Sequence, residues 1–227
     1  MTESDDISVR AVSIICEHRQ GVLRDISEIM ADKGANIEMV QASVLPFGPD
    51  RGKSLLYFEF REIEEFEDLK ETLLLLDTVH EIKAYRPLSQ IFGKRIIIFG
   101  GGAQVAQVAL GAVNEADRHN IRGERISVDT FPVVGEKNLT AAIDAISRLP
   151  RVAVLVLAGS LMGGTIVSVV ERVKKYGIPV ISLSMAGSLP DHADLVVTDP
   201  IQAGVFAVMH ASELAVFDIY RVRGRHF

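Results

Sequence analysis

Three short stretches of glycine and hydroxyl-bearing residues carry the clearest chemistry in this chain. They are Gly100-Gly101-Gly102-Ala103-Gln104, Gly159-Ser160-Leu161-Met162-Gly163-Gly164-Thr165 and Ser184-Met185-Ala186-Gly187-Ser188. Each follows an apolar run with the character of a buried strand, and two lead directly into helical patterns. Such turns leave backbone N–H groups exposed to an anion such as phosphate or carboxylate. The candidate anion-binding residues are therefore Gly100, Gly101, Gly102, Gly159, Ser160, Gly163, Gly164, Thr165, Gly187 and Ser188. Asp129, near the end of an intervening strand, is a candidate for a ribose hydroxyl. For each glycine the alternative is a purely structural one, a tight strand-to-helix turn.

The other chemistry is sparse. Gly100-x-Gly102 opens a dinucleotide fingerprint, but Val105 stands where the third small residue belongs. Neither a Walker motif nor a nucleophile elbow is present. Asp129, Asp199, His192, His210 and Glu213 are the acid–base candidates. Asp199 precedes Pro200 and reads as a helix N-cap. His210 and Glu213 fall on one helix face as a satisfied pair, and His192 sits in a polar turn. No Ser/His/Asp order, carboxylate pair or metal-ligand spacing stands out, so no catalytic residue and no metal is assigned.

These loops need a frame, and the apolar periodicity supplies one. Strands are expected at Arg95–Phe99, Ile126–Phe131, Val152–Ala158, Pro179–Ser184 and Leu195–Thr198, with helical patterns such as Val105–Arg118 and Thr165–Tyr176 between them. Continuous apolar strands bounded by glycines predict a parallel sheet covered on both faces, a Rossmann-like doubly wound domain over residues 93–227. Ahead of it, 7–15, 36–45, 55–60 and 79–85 read as strands. Val22, Ile26, Ile29 and Met30 mark one helix, and Phe66, Leu69, Leu73 and Leu76 a second. Gly34 closes the first helix. The order βαββαβ over residues 7–86 is a ferredoxin-like arrangement. Residues 86–93 join the two, so the fold class is α/β with two domains.

Within the first module, Arg19-Gln20-Gly21-Val22-Leu23 follows the first strand, and Gly34-Ala35-Asn36-Ile37 enters the second. This pattern resembles the ACT domain, a small module that usually binds amino acids. The resemblance covers about a third of the chain. It implies a ligand site at His18, Arg19, Gln20, Gly21, Val22 and Leu23 with Asn36 and Ile37 opposite, completed by two modules side by side. The usual family pattern is Asp-Arg-Pro-Gly-Val-Leu. Here His18 replaces the aspartate and Gln20 the proline, which leaves Glu17, one position earlier, as the acidic substitute. Gly21 also has a plain role in shaping the turn, and Asn36 in the strand entry. The stretch 159–164 and the phrase Pro190-Asp191-His192-Ala193-Asp194-Leu195 are locally similar to loops of sugar-phosphate isomerases and of carboxyaminoimidazole-ribotide mutases. The whole combination is similar to uncharacterised archaeal ACT proteins.

Composition bounds the partners. The chain has 227 residues, 48% of them apolar, and a net charge of −6. Residues 1–90 hold ten Lys and Arg against eighteen Asp and Glu, and residues 91–227 hold fourteen against twelve. No basic stripe is available for nucleic acid. The apolar runs are too short to span a bilayer, and the acidic N-terminus is unlike a secretory signal, so a cytoplasmic protein is expected. Arg221, Arg223 and Arg225 read as an exposed tail. The lone Cys16 reads as a small core residue. The leading expectation is a regulatory homodimer that binds an amino acid through its ACT-like module and a nucleotide or phosphate-bearing metabolite in its second domain. Alternatives are an ACT-regulated enzyme acting on a nucleotide or sugar phosphate, and a scaffold in which the module only dimerises.

Overall fold

The computed structural model describes residues 9–63, 65–133 and 135–227; Ile7 and Ser8, where the sequence places the start of the first strand, lie outside them. The chain divides into two compact units after Pro87.

In the first unit, β1 (Arg10–Cys16), α1 (Val22–Asp32), β2 (Asn36–Val44), β3 (Ser54–Arg61), α2 (Phe66–Leu74) and β4 (Val79–Tyr85) follow one another. The strands form an antiparallel sheet in the order β2-β3-β1-β4, which fits a ferredoxin-like module. Alternation sends Val12, Ile14 and Cys16 of β1 to one face, where Leu56, Phe58 and Phe60 of β3 join them. Val22, Ile26 and Met30 of α1 and Leu69 and Leu73 of α2 close that core. Gly34, at φ 84, ends α1 by donating its N–H to the Ala31 carbonyl at 2.9 Å.

The second unit begins with the short α3 (Leu88–Phe92). It then alternates β5 (Lys94–Gly100), α4 (Gly102–Ile121), β6 (Ile126–Pro132), α5 (Glu136–Ala145), β7 (Val152–Ala158), α6 (Thr165–Lys175), β8 (Val180–Leu183), β9 (Leu195–Val197) and α7 (Pro200–Ala211). Its five strands are parallel, in the order β6-β5-β7-β8-β9. Counted within the unit this is 2-1-3-4-5, a doubly wound order distinct from the 3-2-1-4-5-6 of the dinucleotide-binding fold. Ile96 and Ile98 face a core with α4 and α7, while Ile97 and Phe99 face another with α5 and α6. Strands buried on both sides explain the unbroken apolar runs.

Two details position the sheet edge. Helices α4 and α7 cross backbone to backbone: a Cβ on Gly111 would lie 2.0 Å from the Ile201 carbonyl oxygen, and one on Gly204 would lie 2.1 Å from that of Val108. The arginines near the C-terminus are exposed, as expected of them, but the segment that carries them is tied to the sheet. Arg223 pairs with the fully buried carboxylate of Asp194, and Phe227 donates its N–H to Val196 of β9 at 3.0 Å. A buried charge demands such a partner. No helix among the described residues is long and apolar enough to cross a membrane.

Candidate functional site

Strands β5 and β7 are neighbours whose following helices leave in opposite directions. This is a topological switch point, and ligands of open α/β sheets bind outside the strand ends there. Gly100 ends β5 beside Ala158, and a Cβ at Gly100 would sit 1.6 Å from the Ala158 carbonyl oxygen. Only glycine permits that approach. Gly101 then caps α4 without a side-chain hydrogen bond, and no acidic residue occupies the first turn of α4. Gly102 has φ +68 and open space where a side chain would be.

The loop after β7 is tied to the loop after β8. Met162 N donates to the Ala186 carbonyl at 3.1 Å, Ala186 N to that of Ser160 at 3.1 Å, and Leu189 N to that of Met162 at 3.2 Å. Gly187, at φ +98, has a Cβ position 2.1 Å from the Met162 carbonyl oxygen. The two loops and the start of α4 enclose a cavity of about 860 Å³. Gly101, Gly102, Gly159, Ser160, Gly163, Gly164, Gly187 and Ser188 all line it. Gly100 and Thr165 are not in that lining but adjoin it in sequence, next to Gly101 and Gly164. For Gly100 and Gly187 close packing accounts for the glycine; for Gly102 it does not.

Asp129 lies elsewhere. It sits opposite Ile97, three residues before the end of β6, and its carboxylate pairs with Arg95. The acid that reaches the cavity is Glu136, which sequence reasoning missed. Its Oε1 accepts from Thr165 N at 2.9 Å and Thr165 Oγ1 at 2.8 Å, so it seats at the start of α6. The Thr165 backbone N–H first, and the Thr165 hydroxyl second, hold the carboxyl below the usual glutamate range. The available signal was Gly135-Glu136, a fourth strand-to-helix turn that carries only one glycine.

A second cavity, about 490 Å³, opens at the opposite edge of the same sheet. Its charged groups already have partners: Lys94 pairs with Glu213 at 3.2 Å, and Arg151 Nη1 donates to the Gly93 carbonyl at 2.7 Å. The switch-point cavity is the better site on grounds of fold and of available donors.

In the first unit, Gly21 is the N-cap of α1 at φ 91, without a side-chain cap bond. His18 Nδ1 is 2.9 Å from Ser54 Oγ, which ties the turn to the start of β3. Arg19 and Gln20 are exposed, Val22 belongs to the core, and Leu23 is 43% exposed. Glu17 is engaged by His80 at 2.5 Å. Asn36 opens β2 opposite Arg61, and Ile37 follows opposite Phe60. Cys16, just before the turn, lies opposite Ser54. Ser54 and Arg61 stand at opposite ends of β3, about 23 Å apart at strand rise. A single chain therefore does not bring Gly21 and Asn36 together.

The remaining acid–base candidates have structural partners. Asp199 accepts from Gln202 N at 2.8 Å as an N-cap. His210 and Glu213 do not pair: His210 Nδ1 accepts from Ile219 N at 3.1 Å, and Glu213 reaches Lys94. Burial lowers the His210 pKa, opposed by Asp218. His192 contacts Glu171 at 3.1 Å. His119 is buried between Glu115, at 3.2 Å, and Glu124, at 2.7 Å. Ser212 Oγ beside it lies 2.9 Å from His119 Nδ1, donates to Glu124 Oε2 at 2.7 Å and accepts from Leu214 N and Ala215 N, so it closes a turn onto the buried histidine. Among the described residues no group of three or more His, Cys, Asp and Glu could hold a metal ion.

Comparison with known proteins adds kinship to this geometry. Residues 85–226 match the family described as Domain of unknown function (DUF5612). An uncharacterized protein of Archaeoglobus fulgidus is 53% identical over 217 residues, 96% of this chain and 99% of the relative. An uncharacterized protein of Methanocaldococcus jannaschii is 53% identical over 216 residues, 94% of this chain and 97% of the relative. Among solved structures, the ACT domain from GTP pyrophosphokinase of Chlorobium tepidum is similar at 14% identity and a TM-score of 0.28. It covers 34% of this chain and 97% of that one. A likeness this weak says nothing about a ligand.

Proposed function

The chain belongs to the DUF5612 family, and from that premise we propose that it is a regulatory ligand-binding protein with two kinds of site. The second unit binds an anionic metabolite, a nucleotide or another phosphate-bearing compound, in the switch-point cavity. The first unit, through its resemblance to ACT domains, binds an amino acid between two copies of the chain. The observation that carries this reading is the meeting of the strand-end loops after β5, β7 and β8 on one cavity of about 860 Å³. Backbone N–H groups at the open start of α4 supply the donors that an anion needs.

The pairing of copies is supported by the distance between Gly21 and Asn36. A two-fold partner can offer its Asn36 to the Gly21 turn, where the start of α1 suits a ligand carboxylate. Glu17, occupied by His80, is a poor substitute for the family's acidic residue. Amino-acid binding would then favour one arrangement of the pair, because coupling requires different affinities for two states. A cytoplasmic location belongs to the same reading, and neither nucleic acid nor membrane has a part in it.

A thermal-shift screen tests the proposal, with the twenty amino acids and a parallel set of nucleotides and sugar phosphates. A ligand at 100 times its dissociation constant adds roughly 2.7 kcal/mol. An amino-acid shift abolished by Asn36→Ala, and a phosphate shift abolished by Ser160→Ala with Gly163→Ala, are the expected results. No shift with any compound sinks the reading.

A further inference from the structure

Resting on the reading of the switch-point cavity as an anion site, we infer that Glu136 makes it selective for a ligand with one anionic group and a neighbouring hydrogen-bond donor, the hydroxyls of a sugar phosphate in the simplest case. Helices α4, α5 and α6 all begin at this cavity, and among the described residues Glu136 is the one charged side chain lining it. The donors at the start of α6 are already taken. Thr165 N and Oγ1 both donate to Glu136 Oε1, and Thr140 Oγ1 supports the Thr165 hydroxyl at 3.1 Å. Gly164 belongs to the seat, since a Cβ there would lie 2.5 Å from Oε1.

The start of α4 differs. It has neither a side-chain cap nor a carboxylate in its first turn, and Gly102 leaves its approach open. One position for an anion therefore remains. A second anionic group beside Glu136 meets like charge with no cation in the lining to relieve it.

The atoms of Glu136 set the demand on the ligand. Oε1 is used by Thr165, and among the described residues no donor reaches Oε2. An ionised carboxylate only accepts, so the ligand group facing it must donate. The Ser160 and Ser188 hydroxyls, also in the lining, both donate and accept. Hydroxyls on the ligand satisfy all three residues, and so does an ammonium, which the carboxylate and both serine oxygens can accept.

The test uses the full chain and calorimetric titration with inorganic phosphate, ribose 5-phosphate, ethanolamine phosphate and fructose 1,6-bisphosphate. Wild type should prefer ribose 5-phosphate to inorganic phosphate by about tenfold or more, the value of a hydrogen bond to a charged group. In Glu136→Gln the amide oxygen still accepts from Thr165, but a donor replaces Oε2. That variant should lose the preference, the ratio of the two affinities falling towards one because the charged acceptor is gone. Glu136→Ala frees the α6 donors, so the bisphosphate should gain about tenfold over wild type. An unchanged preference in Glu136→Gln overturns the inference, as does tighter wild-type binding of fructose 1,6-bisphosphate than of ribose 5-phosphate. If wild type binds none of the four, the anion-site reading falls and this inference with it, an outcome distinct from binding without selectivity.

Discussion

The two candidate sites are assembled in opposite ways by the two sheets that carry them. In the second unit the strands are parallel, so the turns after β5, β6, β7 and β8 all fall at one edge, and one chain supplies the whole cavity. In the first unit the sheet is antiparallel, and α1 returns the chain to the far end before β2 begins. The Gly21 turn and Asn36 are thus parted by the length of the sheet. A parallel sheet gathers its loops within one chain, whereas this antiparallel one leaves the gathering to a second copy.

The comparison breaks most visibly at Gly100. Gly100→Ala forces a Cβ against the Ala158 carbonyl at the base of the cavity. It should cost the second unit about 3 kcal/mol and abolish phosphate binding. Gly102→Ala, with open space but φ +68, should cost about 1 kcal/mol. Urea denaturation of the two variants measures the contrast. Equal losses would mean that close packing does not fix this edge.

Complementation sharpens the other side. Gly21→Ala and Asn36→Ala should each lose amino-acid binding by about tenfold or more. Mixing the two variants should restore about a quarter of the sites, because a two-fold heterodimer keeps one intact pocket. Failure to restore any would show that the two residues serve one pocket within a chain, or none. Dilution gives a third, gentler contrast. Amino-acid binding should weaken as the pair dissociates, while binding at the sheet edge should stay constant.

The smallest expected effect lies away from both sites. Burial pushes the Glu124 carboxyl up, but hydrogen bonds from Ser212, Glu213 N, His119 and Leu214 N outweigh it and leave the pKa below the ordinary 4.5. A depressed folded-state value stabilises above the unfolded one, and that stability is lost as pH falls through the folded value. Glu124→Gln should therefore be about 1 kcal/mol less stable than wild type near neutrality, with the gap closing below about pH 4.5. A gap that widens in acid would contradict the assignment.

Much of the frame was legible in the sequence, because strands such as β5 and β7 are apolar runs and β1 alternates apolar and polar residues. The convergence of loops at one edge was legible too, since parallel strands leave no alternative. Three things were not. Asp129 has the right type for a ribose contact, but three further residues of β6 carry the strand end beyond it, and Arg95 holds it. Glu136 carries one glycine where its neighbours carry several, and its role depends on Thr165, 29 residues away. The pairing of the exposed Arg223 with Asp194 was hidden because nothing in its vicinity reveals that Asp194 is buried.

The crossing of α4 and α7 has a mechanical consequence. Where backbone meets backbone at Gly111 and Gly204, neither helix can slide without a clash. The cavity wall that begins α4 is thereby a fixed jaw. At the opposite wall the starts of α5 and α6 are joined by the exposed Glu136–Thr165 clasp, a contact that water can replace. Any closing stroke over a bound molecule is then expected from α5 and α6, and hydrogen exchange should find these amides faster than those of α4 and α7.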